Sequence, residues 1–190
     1  EYDPAATHLI GAQIVRVSPA AAANPVLVLV PDGSEPTVTR LISTADTCNS
    51  CHRGIGAHGG NRNDYELCIT CHTPQNVDPE TGNTPDMKVM VHKIHNGANL
   101  PSVQAGNPYY IVGFRQSVLN FSGVTWPQYV RNCTTCHTGP DGDRYKTAPN
   151  AAACTACHDN VNLETGENHA AGPQPDSACA TCHQPDGNEL

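Results

Sequence analysis

Cys48-Asn49-Ser50-Cys51-His52 sets the reading of this chain, because its spacing returns four times. The copies are Cys68-Ile69-Thr70-Cys71-His72, Cys133-Thr134-Thr135-Cys136-His137, Cys154-Thr155-Ala156-Cys157-His158 and Cys179-Ala180-Thr181-Cys182-His183. Together they use all ten cysteines of the 190 residues. Cys-x-x-Cys-His is the attachment signature of a c-type haem. Two thiols add to the porphyrin vinyl groups, and the adjoining histidine, tethered beside them, ligates the iron from one face. His52, His72, His137, His158 and His183 are the predicted proximal ligands. Ten histidines leave five more: His8, His58, His92, His95 and His169. Five haems, five proximal and five spare histidines balance, which predicts bis-histidine, six-coordinate irons closed to substrate.

Zinc is the bland alternative, since Cys48/Cys51 with Cys68/Cys71 fits a zinc-ribbon spacing. A four-cysteine site consumes Cys-x-x-Cys units in pairs, however, and five is odd. Nor does a zinc ribbon need histidine directly after the second cysteine, yet every copy has it. A disulfide framework fails too, because Cys-x-x-Cys pairs are usually redox pairs and not structural staples.

Working outward, 38% hydrophobic and 5% aromatic residues are thin for a self-sufficient core. Sixteen Gly and sixteen Pro predict much turn and irregular loop. Covalent haem resolves the conflict by supplying apolar volume and restraining the loops, so the apoprotein is expected not to fold. The formal net charge of −8, with haem propionates added, argues against nucleic acid or anionic membrane as partner. No run approaches the roughly 20 apolar residues of a membrane span. The start, Glu1-Tyr2-Asp3, has no basic or apolar leader pattern and reads as a mature or trimmed chain. Haem attachment takes place outside the cytoplasmic membrane, which predicts an exported protein, extracellular or at the cell surface, with the periplasm as the other compartment.

The expected fold class is a multihaem cytochrome c, mostly irregular, with short α-helices around covalently bound haems and a small N-terminal β element. Residues 1–44 form the β-like arm, with strand patterns at residues 9–17 and 25–30 and a third short strand at 37–42. Residues 45–190 form the pentahaem domain. Its one clear helix is Met87–Asn96, opened by Thr84-Pro85-Asp86 and stopped at Asn96-Gly97. Short helical turns are expected at each motif, and residues 109–114 read as strand. The long interval between the second and third motifs splits the haems into groups of two and three.

His92 and His95 stand at i and i+3, so they leave one helix face about 5–6 Å apart. That close, they cannot sandwich one iron and must serve two haems. Met87 and Met90 are read as apolar packing. His58 would reach its own motif's iron only within a maximal span of about 20 Å around the porphyrin edge. A different haem, such as the one on Cys68 and Cys71, is the better match. His169 reaches either the His158 haem or a neighbour. His8 is the outlier, on the arm, and ligates in cis or in trans to another copy.

His58-Gly59-Gly60-Asn61-Arg62-Asn63, Cys68-Ile69-Thr70-Cys71-His72 and the run Met87 to Gly97 together resemble the outer-membrane decahaem cytochromes of the MtrC/OmcA type. Asn132-Cys133-Thr134-Thr135-Cys136-His137 and Thr165-Gly166-Glu167-Asn168-His169 continue the pattern in order. The resemblance covers about residues 44–183 and corresponds to one pentahaem half. It implies extracellular electron transfer to minerals, electrodes, flavins or other cytochromes; that family pairs split β-barrel domains with pentahaem domains, whereas the β portion here is far too short for a full barrel. The function expected is therefore electron transfer along five closely spaced haems, not enzymatic catalysis. Partners would be other multihaem cytochromes, copies of this chain or extracellular acceptors, and a filament of copies is a compatible assembly. The rival is a multihaem oxyanion reductase, which needs one haem with an open site.

Overall fold

The computed structural model describes residues 2–183. It begins with a bent β hairpin of four strands: β1 (His8–Gly11), β2 (Ile14–Val17), β3 (Ala20–Ala23) and β4 (Val26–Leu29). β1 runs antiparallel to β4 with His8 opposite Leu29, and β2 to β3 with Ile14 opposite Ala23. The ladder breaks beside Pro25, which has no amide proton to give; the Ala12 amide donates to the Pro25 carbonyl at 2.9 Å and carries the pairing past it. The run expected at residues 9–17 is therefore two strands. β3 is four alanines with little strand preference of their own, held extended by pairing with Ile14, Val15 and Val17.

No strand forms at residues 37–42. Arg40 adopts φ 57°, which interrupts extended backbone, and the hydrogen bonds go to the loop after the third motif. The Leu41 amide donates to Asp141 Oδ2 at 2.9 Å, the Gly139 amide to the Ile42 carbonyl at 2.9 Å and the Asp141 amide to the Leu41 carbonyl at 3.0 Å. A β-carbon at Gly139 would lie 2.1 Å from the Leu41 oxygen, so only glycine permits this approach.

The chain forms two compact units. The first runs through His72 and adds Cys133–Asp143; the second holds Thr73–Asn132 and continues from Arg144. Three motifs thus lie in the first unit and two in the second, whereas the sequence interval grouped the third motif with the last two. The reason is the set of bonds just described, between segments far apart in sequence.

In the first unit, α1 (Ala45–Asn49) is capped by Thr44, whose side chain accepts from the Thr47 amide, and α2 (Tyr65–Cys71) by Asp64, which accepts from the Glu66 amide. Arg40 donates to the Ile69 carbonyl at 2.9 Å, satisfying an orphan acceptor in the last turn of α2. A β-carbon at Gly11 would lie 2.7 Å from Leu67 Cδ1 and 3.2 Å from Thr70 Cγ2, so the hairpin rests directly on α2.

In the second unit, α3 spans Met87–Asn96, as the sequence punctuation predicts, and ends at Gly97, where a β-carbon would meet the Phe121 oxygen at 2.2 Å. α4 (Pro101–Gln104) starts on proline, and a hairpin of β5 (Tyr110–Gly113) and β6 (Ser117–Asn120) follows. Asp78 staples its own loop to that hairpin by accepting from Thr81 Oγ1 and the Val112 amide, bonds that hold its carboxyl down at about 2. α5 (Arg144–Thr147), α6 (Ala151–Cys154) and α7 (Cys179–Cys182) complete the unit.

Among the described residues the buried apolar side chains are Val30, Tyr65, Leu67 and Ile69 in the first unit and Leu100, Tyr109 and Ala156 in the second. That is a small core for this length. Among the described residues no helix is long and apolar enough to cross a membrane.

Candidate haem-binding sites

Each Cys-x-x-Cys-His closes the same local turn. The histidine amide donates to the carbonyl of the first cysteine, at 3.0 Å in the first motif, 2.9 Å in the second and third, 3.1 Å in the fourth and 3.0 Å in the fifth. Four residues of separation make one helical turn, which brings the two cysteines, at i and i+3, to one side. α1 supplies the first cysteine of its motif, α2 both of its own, α6 the first of the fourth and α7 both of the fifth. The third motif sits on a 3-10 turn, Cys133–Thr135. No disulfide joins any of the ten cysteines. Among the described residues no cluster of three or more His, Cys, Asp or Glu is arranged to hold a metal ion directly.

Burial pushes the thiols of Cys48, Cys68, Cys136, Cys154 and Cys157 up, so they are not activated as free nucleophiles. Neighbouring groups add to this. After burial, Cys136 senses Cys48 and Cys51, Cys68 senses Asp64 and then Cys48, and Cys154 senses Cys179. The three motifs of the first unit are therefore close together, as are the two of the second. A hydrogen bond between the Thr47 and Thr138 hydroxyls ties the first motif to the third.

Two spare histidines face proximal ones. The rings of His58 and His72 have their centres 6.1 Å apart, and those of His169 and His183, 6.4 Å. An imidazole–metal bond of about 2 Å, plus about 1.2 Å from nitrogen to ring centre, puts two axial rings about 6.4 Å apart across one metal. The residues present fit a bis-histidine iron at both places. The second pairing was left open between two haems by the sequence; in the structure His169 stands against the fifth motif.

His58 lies inside a loop closed by a single antiparallel bridge, Ala57 with Arg62, and His169 stands two residues after one closed by Asn162 with Glu167. Both places need left-handed backbone: His58 itself has φ 50°, Gly59 and Gly60 lie at 83° and 81°, and Asn168 at 56°. A cavity of about 210 Å³ opens among Gly11, His58, Arg62, Leu67, Cys71 and His72. Burial, then the Arg62 charge, then His72 push the His58 pKa down, which favours the neutral ring that a metal binds.

Four histidines are oriented through Nδ1. His92 and His95 donate from Nδ1 to the Lys88 and Val91 carbonyls, one helical turn back. His137 does so to Gly142 at 3.0 Å and His169 to Gly172 at 2.7 Å. A carbonyl only accepts, so Nδ1 carries the proton and the lone pair lies on Nε2, the usual arrangement for an oriented metal-ligating histidine. His95 also meets Trp126 edge-on, with ring centres 5.2 Å apart. His8 differs: its Nε2 lies 3.1 Å from the Asp3 carbonyl, and its ring centre is 5.9 Å from that of Tyr2.

Sequence reasoning missed one group of polar residues beside the fourth motif. Lys93, which follows His92, places Nζ 2.8 Å from Asp159, which follows His158. Asp159 also accepts from the Ser102 amide and hydroxyl, at 2.9 and 2.6 Å. A lysine on a helix next to one metal ligand and an aspartate next to another was the available signal.

Residues 40–189 match the family described as outer membrane cytochrome MtrC/MtrF-like, domains II/IV. The multiheme cytochrome MtrC of Shewanella baltica (strain OS185) is 28% identical over 160 residues, 81% of this chain and 20% of that protein. The crystal structure of the outer membrane decaheme cytochrome OmcA matches with a TM-score of 0.78 at 29% identity, covering 96% of this chain and 27% of that one. The crystal structure of MtrC from Shewanella baltica OS185 matches at 0.60 and 26% identity, over 87% of this chain and 23% of that one. This chain spans between 20% and 27% of the length of these relatives.

Proposed function

The chain belongs to the outer membrane cytochrome MtrC/MtrF-like family, domains II/IV, and on that premise we propose that it is an electron-transfer module with five c-type haems, one on each Cys-x-x-Cys-His. Residues 45–190 serve as the pentahaem domain and residues 1–44 as its β arm. Bound haem would supply a reversible one-electron iron couple. The residues of the chain hold and orient it. Cys48, Cys51, Cys68, Cys71, Cys133, Cys136, Cys154, Cys157, Cys179 and Cys182 make the thioether links. His52, His72, His137, His158 and His183 ligate from the proximal side, and His8, His58, His92, His95 and His169 from the distal side.

The observation that carries this reading is the pair of ring spacings, 6.1 and 6.4 Å, each suited to one six-coordinate iron with no place for substrate. His92 and His95 are supported by their Nδ1 bonds to carbonyls. His8 is supported by the ligand count, and ligation through Nε2 requires it to leave the Asp3 carbonyl. An oxyanion reductase would need one iron without a second histidine, and every motif here ends in histidine with a spare for each.

The setting we propose is outside the cytoplasmic membrane, at the cell surface, as the family description suggests. Electrons would pass to other multihaem cytochromes, to copies of this chain or to extracellular acceptors, with an end-to-end filament as one form of that traffic. Two measurements on the purified protein test the reading. Denaturing mass spectrometry should find the polypeptide plus five haem masses. The EPR spectrum of the oxidised protein should contain low-spin ferric signals alone; a high-spin signal worth one haem would return the reductase reading.

A further inference from the structure

Lys93 and Asp159 link two segments that each carry an iron ligand. The pair is largely buried, with side-chain exposures of 16% and 7%. Asp159 is held in place by two bonds from Ser102, and the Lys93 ammonium lies 5.1 Å from the centre of the Tyr109 ring, in cation–π range. One helical step further along, Asn96 Nδ2 points at the Cys157 carbonyl at 3.5 Å. The two anchors on α3, Lys93 and Asn96, are one residue after the two spare histidines, His92 and His95. Anchors and histidines are thus interleaved on adjoining faces of one helix, and the anchors grip both sides of His158.

Resting on the electron-transfer reading above, we infer that Lys93 and Asp159, with Ser102, are positioning residues: they lock the rotation of α3 against the fourth motif and so hold His92 and His95 where their irons require them. The lever arm makes this necessary. Side chains reach about 5–6 Å from a helix axis, so a rotation of about 20° carries a ring by about 2 Å, as long as an iron–nitrogen bond. Two carbonyl bonds within α3 set the ring orientation of His92 and His95 relative to the helix, but not the orientation of the helix itself. The buried ion pair supplies that second constraint. Removing one partner strands the other charge in a poorly solvated place, which gives the helix a strong reason to rotate and let it reach water.

The test compares Lys93→Met, Asp159→Asn and Lys93→Arg with the parent, each checked by mass spectrometry to carry its full complement of haem. Lys93→Met and Asp159→Asn should shift the g-values of one or two low-spin ferric signals, or convert about one haem per chain to high spin. Lys93→Arg, which keeps the charge and reaches as far, should restore most of the parent spectrum. A merely structural salt bridge would lower the melting temperature and leave these signals alone. If Lys93→Met keeps its haems and its spectrum is that of the parent, the inference falls. If Lys93→Met yields no holoprotein, Ser102→Ala decides by the same readout, a shift in those signals supporting the inference and an unchanged spectrum overturning it. His92→Ala and His95→Ala run beside them: if neither perturbs any haem, the ligand reading itself has failed, whereas a perturbation there with none in Lys93→Met removes the positioning role alone.

Discussion

The hairpin from β1 to β4 and the loop from Ala57 to Arg62 both lie in the first unit, each carries a spare histidine, and they hold it in opposite ways. The hairpin satisfies its backbone through two regular ladders, yet Ile10, Ile14, Val17 and Leu27 are each more than half exposed. Its histidine turns back to its own chain, to the Asp3 carbonyl. The loop has one bridge and three consecutive residues in left-handed backbone, and it brings His58 opposite His72 at metal-spanning distance. In this unit the regular ladder organises the chain, and the irregular loop is what turns a spare histidine toward a proximal one. A ring must approach an iron along one direction, and a period-2 strand offers only two.

The largest effect expected to sharpen that contrast is Cys68→Ala with Cys71→Ala. It removes one haem mass in denaturing mass spectrometry. Because α2 carries Tyr65, Leu67 and Ile69, the buried apolar residues around which the first unit packs, cooperative thermal unfolding of that unit should be lost as well. Next comes His58→Ala, which should convert about one haem per chain to high spin by EPR while the others keep their signals. Deleting residues 1–10 asks the same of the hairpin: loss of one sixth ligand is expected, and loss of oligomers in the same sample would place His8 in trans. A spectrum unchanged by that deletion would leave the loop as a ligand carrier and the hairpin as none. Gly11→Val is smaller. Its β-carbon would press on Leu67 and Thr70 where the hairpin rests on α2, and a loss of about 1–3 kcal/mol is expected by thermal denaturation, with haem count unchanged. Smallest is Val17→Thr near the hairpin tip, where the side chain is 87% exposed; a change within about 0.5 kcal/mol is expected.

What the sequence makes legible follows from how far each cause reaches along the chain. The five motifs are local patterns, and their turns form as spaced. α3 was bounded to the residue, because Asp86 and Gly97 punctuate it and Gly97 is further demanded by the Phe121 carbonyl beside it. β3 was invisible, since alanine carries little strand signal and the decision is made by its partner across the hairpin. The place of the third motif was misread for a plainer reason. Leu41 and Asp141 meet across 100 residues, and no window along the sequence contains both. His169 lies between these cases: counting marks it as a spare histidine, while its place opposite His183 follows a left-handed turn at Asn168 that composition does not announce.

The shared turn of the five motifs bears on assembly. Its closing bond joins a histidine to a cysteine four positions earlier, so its contact order is minimal and each turn can form from its own few residues, in microseconds or less. The contacts between separated segments are slower by nature: the approach of His58 to His72 waits on a closed loop, and the Leu41–Asp141 staple waits until most of the chain has arrived. On the proposed reading, each motif would offer haem a short, self-formed peptide turn, and the tertiary contacts would be drawn together after it.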